Sequence, residues 1–174
     1  MSTASPQVSE FIEMISTPVP RGFAELYERH YEAVFRAALR VTGNPADAED
    51  VLQTVFLRVL ARSDSEESAR SPAAYFRRAA VNAAVDILRR RAMHAETVYD
   101  DLASSAGVEP VGLLKERLRR AIATLPNEDA TLFLLRHVEG LSIEEVARVF
   151  RLEKSNVSVR LHRIRLRLRA EMER

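Results

Sequence analysis

The chain has 174 residues, with 26 Lys plus Arg against 25 Asp plus Glu, four His, no Cys and no Trp. That length allows one ordinary domain or two small ones, and 47% hydrophobic with 29% charged residues is a globular balance, too apolar for a disordered chain and too interrupted by charge for a membrane protein. The absence of Cys excludes a disulfide framework, a thiolate zinc site and a cysteine nucleophile, and residues 1–20 lack the basic start and long apolar run of a secretory leader, so a cytoplasmic location without membrane insertion is expected.

Residues 1–20, rich in Ser, Thr and Pro, read as a flexible leader, although Phe11, Ile12 and Ile15 allow a short amphipathic turn. Apolar residues then recur at helical spacing through Phe23, Leu26, Tyr27, Val34, Phe35, Ala38 and Val41, until Gly43 stops the run. Asn44 caps the next helix with Pro45 as its first residue, and a core face continues through Ala48, Val51, Leu52, Val55, Phe56 and Val59. Ser63 to Ser71 reads as an exposed loop. Ser71 and Pro72 repeat the cap-then-proline device and open a helix to about Arg91, with a stripe of Tyr75, Phe76, Ala79, Ala83, Ile87 and Leu88.

Met93 to Pro110 has four acidic residues and no Lys or Arg, shows no sustained period, and reads as a linker. Helical patterns resume at Leu113 to Leu125 and Glu128 to Val138. Ser142 with Glu145 forms a capping box that opens a short helix from Ile143 to Phe150. A turn of about four residues leads, past Ser155 as the expected cap, into a long C-terminal helix. No segment alternates like a strand, so the predicted class is all-α in two small helical domains: a leader at 1–20, a first domain at 21–93, a linker at 94–110 and a second domain at 111–174.

The near-neutral total conceals an asymmetry. Residues 1–60 hold eight acidic against five basic residues, a net −3, whereas residues 150–174 hold eight basic against three acidic, a net +5. Only Lys115 and Lys154 are lysines, so the positive charge sits on guanidinium forks, which match phosphate oxygens and base edges. Ser142 to Arg169 has the form of a helix-turn-helix, with Ala147 small at the close approach, Leu152 filling the turn, and Val157, Leu161, Ile164 and Leu168 as the inward stripe. The opposite face shows Ser155, Val159, His162, Arg163 and Leu166, flanked by Asn156 and Ser158. The bland alternative is a helical hairpin with solvated arginines.

Arg77, Arg78, Asn82, Arg89, Arg90 and Arg91 form a second basic cluster, mainly away from the apolar stripe of their helix. Asp47, Asp50, Gln53 and Thr54 lie around the exposed side of another, and read alone are an ordinary solvated face. His30, His94, His137 and His162 show no metal spacing and there is no glycine-rich phosphate loop, so the pattern points to no enzyme, metal or cofactor.

Taken together, these runs resemble a bacterial sigma-70 family RNA polymerase sigma factor of the extracytoplasmic-function (ECF) group, from Phe23 to Met172. Asp47-Ala-Glu-Asp-Val-Leu-Gln-Thr-Val-Phe56 is similar to the helix that docks on the β′ clamp helices of core RNA polymerase. Tyr75 to Arg91 resembles the helix that opens the minus-10 element. Gly140-Leu-Ser-Ile-Glu-Glu-Val-Ala147 and Arg160-Leu-His-Arg163 resemble the domain that reads the minus-35 element. The resemblance implies polymerase contacts at Asp47, Asp50, Gln53, Thr54 and Leu57, minus-10 contacts at Arg77, Arg78, Asn82, Arg89, Arg90 and Arg91, and minus-35 contacts at Ser155, Asn156, Ser158, Val159, Arg160, His162 and Arg163.

It also implies promoter DNA and the β flap as partners, an anti-sigma factor, association with the nucleoid when active, and a linker that threads toward the polymerase active centre. Tyr75 stands where the family usually has Trp and Arg151 where it has the turn Gly, departures that point to an uncommon promoter preference, and Thr54 stands where it has Glu, a departure that points to a modestly weaker polymerase affinity. The rival expectation is a stand-alone helix-turn-helix regulator that binds operators without polymerase.

Overall fold

The computed structural model describes residues 9, 11–13, 22–61, 72–95 and 111–173. Its elements are α1 (Phe23–Thr42), α2 (Pro45–Ala61), α3 (Pro72–Ala95), α4 (Val111–Ala123), α5 (Asn127–His137), α6 (Ile143–Phe150) and α7 (Lys154–Met172), with no strand among the described residues. The Ser63 to Ser71 loop, the Ser71 cap and almost all of the acidic linker lie outside the described residues.

The turn between α1 and α2 depends on Gly43. Its φ of 67° is left-handed, and its N–H caps α1 on the Leu39 carbonyl at 2.8 Å. A Cβ there would also meet the Arg119 guanidinium, the movable end of a long side chain, so it is the backbone conformation that favours glycine. Asn44 caps α2 as expected, its Oδ1 accepting from Asp47 N–H at 3.2 Å.

The core of the first half is aromatic. Phe56 sits within 4.5 Å of the Tyr27 ring centroid, 6.0 Å of Phe23 and 5.2 Å of Phe76. Each such ring contributes about 1.5–3 kcal/mol by leaving water. Within the expected leader, Phe11 is only 4% exposed and packs on Phe23 and Tyr27 in the core.

His30 is buried against Phe76, with ring centroids 4.5 Å apart, and burial together with the neighbouring Arg29 charge holds its pKa below the ordinary 6.5. The unfolded chain therefore takes up the proton first as pH falls, and the stability contributed by neutral His30 is complete above pH 6.5 and lost below it. Urea midpoints are expected to drop between pH 7.5 and pH 5.5, and His30→Leu is expected to flatten that dependence; an unchanged slope in the variant would place the titrating group elsewhere.

α3 departs most from expectation. Besides Phe76, Ala83, Ile87 and Leu88, it buries Ala80, Val81, Ala84 and Val85, while Tyr75 and Ala79 are only partly covered. It packs against α1 and α2 on one side and against α4 and α5 on the other. It also continues past Arg91 to Ala95. A helix clamped between two layers has no single apolar stripe, because apolar residues on both sides find cover.

In the second half, α6 starts on the expected capping box. Ser142 Oγ accepts from Glu145 N–H at 3.1 Å, and Ser142 N–H donates to Glu145 Oε2 at 2.7 Å. Val157, Leu161, Ile164 and Leu168 are all buried, as their spacing predicts. Ser155 is not the cap of α7: Glu153 holds that position, no side chain caps the helix, and Ser155 is exposed in its first turn. The left-handed residue Arg151 returns the chain early enough for Leu152 N–H to reach the Ala147 carbonyl at 2.9 Å, so the helix starts sooner than the serine suggests.

Candidate functional site

Three clusters are placed by this frame. On α2, Asp50 is exposed, Gln53 and Thr54 are half-buried, and Leu57 is 42% exposed despite being apolar. Their spacing of three and four residues sets them on one face, opposite the buried Val51, Val55 and Phe56. Asp47 is placed differently from expectation. Its carboxylate is only 15% exposed and meets Arg91 of α3 at 2.7 Å, so two residues assigned to separate partners pair with each other.

On α7 the outer face is open. Ser155, Asn156, Ser158, Val159, His162 and Arg163 are exposed, and a cleft of about 850 Å³ runs beside them from Pro126 and Asp129 to Leu166. Val159 at 50% and Leu166 at 53% exposure put apolar surface between the arginines, a mixture suited to base edges and thymine methyls. Arg160 lines the same cleft, but its guanidinium is already engaged within the chain. It donates to Asp129 and, at 2.9 Å, to Glu128, tying α7 to the first turn of α5. Partial burial works against the charge, but the hydrogen bonds and negative charges of Glu128 and Asp129 together outweigh it and hold the guanidinium more firmly protonated.

Arg151 is the residue with positive φ that is not glycine, at 54°, among those described. A Cβ in the left-handed region costs roughly 1–2 kcal/mol, offset partly by the smaller backbone entropy lost on folding. Arg151→Gly is expected to stabilise the chain by about 1 kcal/mol, read as a raised urea midpoint with unchanged slope. A lowered midpoint would mean that the arginine side chain contributes more than its backbone conformation costs.

On α3 four members of the basic cluster, Arg77, Arg78, Asn82 and Arg89, face the second half of the chain. Asn82 Oδ1 accepts from the fully buried Thr131 hydroxyl. Arg78 donates to the Val149 carbonyl at 3.1 Å with its guanidinium 5.0 Å from the centre of the Phe150 ring. Arg89 donates to the carbonyls of Ala123, at 3.3 Å, and Leu125. Arg77 lies 3.8 Å from Glu139, and Arg90 is exposed. The expectation that this cluster points away from the packed side of its helix is thereby corrected: Arg78, Asn82 and Arg89 sit in an interface. Glu139, which sequence reasoning passed over, is its centre. Its carboxylate is 3% exposed and accepts a two-pronged contact from Arg40 at 2.9 and 2.8 Å. Nothing local marks it, since Arg40 is 99 residues away.

The Sigma-70 region 2 family model matches residues 26–93 and the Sigma-70 region 4 model matches residues 115–168. An RNA polymerase sigma-E factor of Streptomyces avermitilis is 30% identical over 153 residues, covering 87% of this chain and 85% of the relative. The chain belongs to the sigma-70 family of RNA polymerase sigma factors, in its ECF group. This sigma factor is also similar to the ECF RNA polymerase sigma factor SigW of Bacillus subtilis, at 26% identity over 86% of this chain and 88% of that one. Two solved structures share its fold. One is the sigma factor RpoE in complex with the anti-sigma factor NepR from Bartonella quintana, with TM-score 0.51 and 19% identity, covering 88% of this chain and 98% of that one. The other is CnrH in complex with the cytosolic domain of CnrY, with TM-score 0.53 and 23% identity, covering 95% and 94%. The region 2 match thus spans all but the ends of the α1 to α3 segment, and the region 4 match contains the capping box and most of the helix-turn-helix.

Among the described residues no helix is long and apolar enough to cross a membrane.

Proposed function

We propose that this sigma factor holds core RNA polymerase through the Asp50, Gln53, Thr54 and Leu57 face of α2, engages the displaced minus-10 strand through α3, and positions the minus-35 duplex on the outer face of α7. The division into domains at 21–93 and 111–174, joined by residues 94–110, assigns opening to the first and upstream recognition to the second. The chain contributes no catalytic step: polymerase supplies the chemistry, and the sigma factor supplies selectivity and a surface that captures unpaired bases against their unstacking cost of a few kcal/mol. By analogy with the RpoE and NepR pair, an anti-sigma factor is its regulatory partner, and it acts in the cytoplasm on nucleoid DNA.

The observation that carries the reading is the open face of α7, where Arg163, His162 and Val159 are exposed on one side while Val157, Leu161, Ile164 and Leu168 lock the helix from the other. Run-off transcription with core polymerase on a genomic fragment library is the direct test. Discrete transcripts that depend on both core and this chain are expected. Specific DNA binding that persists without core, accompanied by no transcripts, would favour the stand-alone regulator.

A further inference from the structure

We propose that Asp47 and Arg91 form a brace that fixes the strand-binding helix α3 against the polymerase-docking helix α2, so that both are positioning residues and neither contacts an outside partner. The inference rests on the assignment of α2 to core polymerase and of α3 to the displaced strand. Asp47 stands in the first turn of α2, where its N–H donates to Asn44 Oδ1 at 3.2 Å and so fixes where its side chain leaves the backbone. Its carboxylate is 15% exposed and lies 2.7 Å from the guanidinium of Arg91, about one turn before the end of α3. The Oδ2 atom is buried and accepts no aligned hydrogen bond among the described residues, so the Arg91 charge beside it is what compensates it. That oxygen has no surface left for polymerase.

The position of the pair gives the brace its use. Asp47 and Arg58 are about three turns apart and share the flank of α2 that borders α3. Arg58 faces Asp86 of α3 at 4.0 Å with the signs reversed, but those side chains are 52% and 44% exposed, so water screens the contact and it holds little. The Asp47 pair is therefore the stronger of the two in registering the C-terminal end of α3 on α2. Each charge also suits its helix, the acid beside the N-terminus of α2 and the base toward the C-terminus of α3. Polymerase meets the outer face of α2, and the strand meets α3. A brace between the helices makes the two surfaces one body, so capture of polymerase also places α3 and less motion remains to be frozen when the strand arrives. Without it the outer face of α2 is intact, and only the end of α3 shifts.

Asp47→Asn removes a negative charge and Arg91→Gln a positive one, so a general electrostatic effect on DNA would move the two variants in opposite directions. Loss of a brace moves them together. Both are expected to capture core polymerase within about twofold of the unmodified chain. At saturating core, both should slow promoter opening, followed by permanganate reactivity of thymines, about fivefold or more, the lower range of coupling between sites. The double variant should be no worse than either. Asp47→Arg with Arg91→Asp restores the pair with its signs exchanged, and Asp47→Leu with Arg91→Met replaces it by apolar packing, which buried pairs tolerate. Recovery of opening by either supports the brace. Failure of both overturns it, as do normal opening in the single variants, opposite shifts, or additive losses in the double variant. Parallel losses of capture and opening would assign the pair to the fold alone and also overturn the brace. Loss of capture in Asp47→Asn alone would return Asp47 to the polymerase contacts. Two controls separate the underlying reading: normal capture by Asp50→Arg with Gln53→Ala, or normal opening by Asn82→Ala, overturns the assignment of α2 or α3 and the brace with it, whereas impaired controls leave each outcome above to bear on the brace alone.

Discussion

Asp50→Arg combined with Gln53→Ala is expected to abolish capture of core RNA polymerase while leaving the helical content of the chain unchanged. Asp50 projects from α2 into solvent, and Gln53, Thr54 and Leu57 follow it at one-turn intervals. Folding depends on the other side of the helix, where Ala48, Val51, Val55 and Phe56 are buried, so the double substitution removes interface groups without touching the core. Reversing one charge in a complementary interface sets like charges together, a penalty of several kcal/mol, and losing the neighbouring amide adds to it. A loss of about 3 kcal/mol or more lowers affinity at least a hundredfold. Competition pull-down against unmodified protein measures this directly, with circular dichroism to check the fold. Undiminished capture by a folded double mutant would place the polymerase contact on another face.

Two arginines three residues apart on α7 are expected to behave differently. Arg163 is exposed at the middle of the helix, and arginine to guanine is the commonest specific base contact, so Arg163→Ala should lose roughly 1–3 kcal/mol at the preferred minus-35 sequence and relax preference at one or two base pairs. Arg160 is turned toward α5, and its removal leaves Asp129, only 15% exposed, with Arg167 at 4.0 Å in place of a direct hydrogen bond. The cost belongs to folding. With Arg160 itself 29% exposed, solvent screening holds it to about 1–2 kcal/mol, below the figure for a fully buried pair.

Arg160→Ala should therefore lower the urea midpoint and leave the order of preferred sequences unaltered. Arg167→Ala should weaken all sequences alike and reduce the salt slope by about one. Selection from a randomised upstream element at two salt concentrations, alongside urea unfolding, separates the three outcomes. Equal, sequence-independent losses from Arg163→Ala and Arg160→Ala would remove Arg163 as a base reader.

Much of the architecture is legible in the amino-acid order, because helical periodicity and capping are local. Ser142 and Glu145 announce the start of α6, Asn44 and Pro45 the start of α2, and the spacing of Val157, Leu161, Ile164 and Leu168 gives the buried side of α7, hence its outer face and the candidate base readers Val159, His162 and Arg163. The family itself is legible for the same reason: its motifs are contiguous runs on single helices.

Tertiary structure alone decided what the remaining charges do. An arginine on a helix surface looks the same in sequence whether it faces solvent, DNA or a carboxylate on another helix, and the partners here are distant in the chain: 31 residues for Arg160 and Asp129, and 99 for Arg40 and Glu139. Asp47 and Arg91, read as contacts for two different macromolecules, turn out to neutralise each other. The Ala80, Val81, Ala84 and Val85 side of α3 reads as ordinary helix filler until region 4 covers part of that helix. Periodicity reports how many sides of a helix are apolar, and only the packed chain determines which neighbour each side meets and which polar groups that contact consumes.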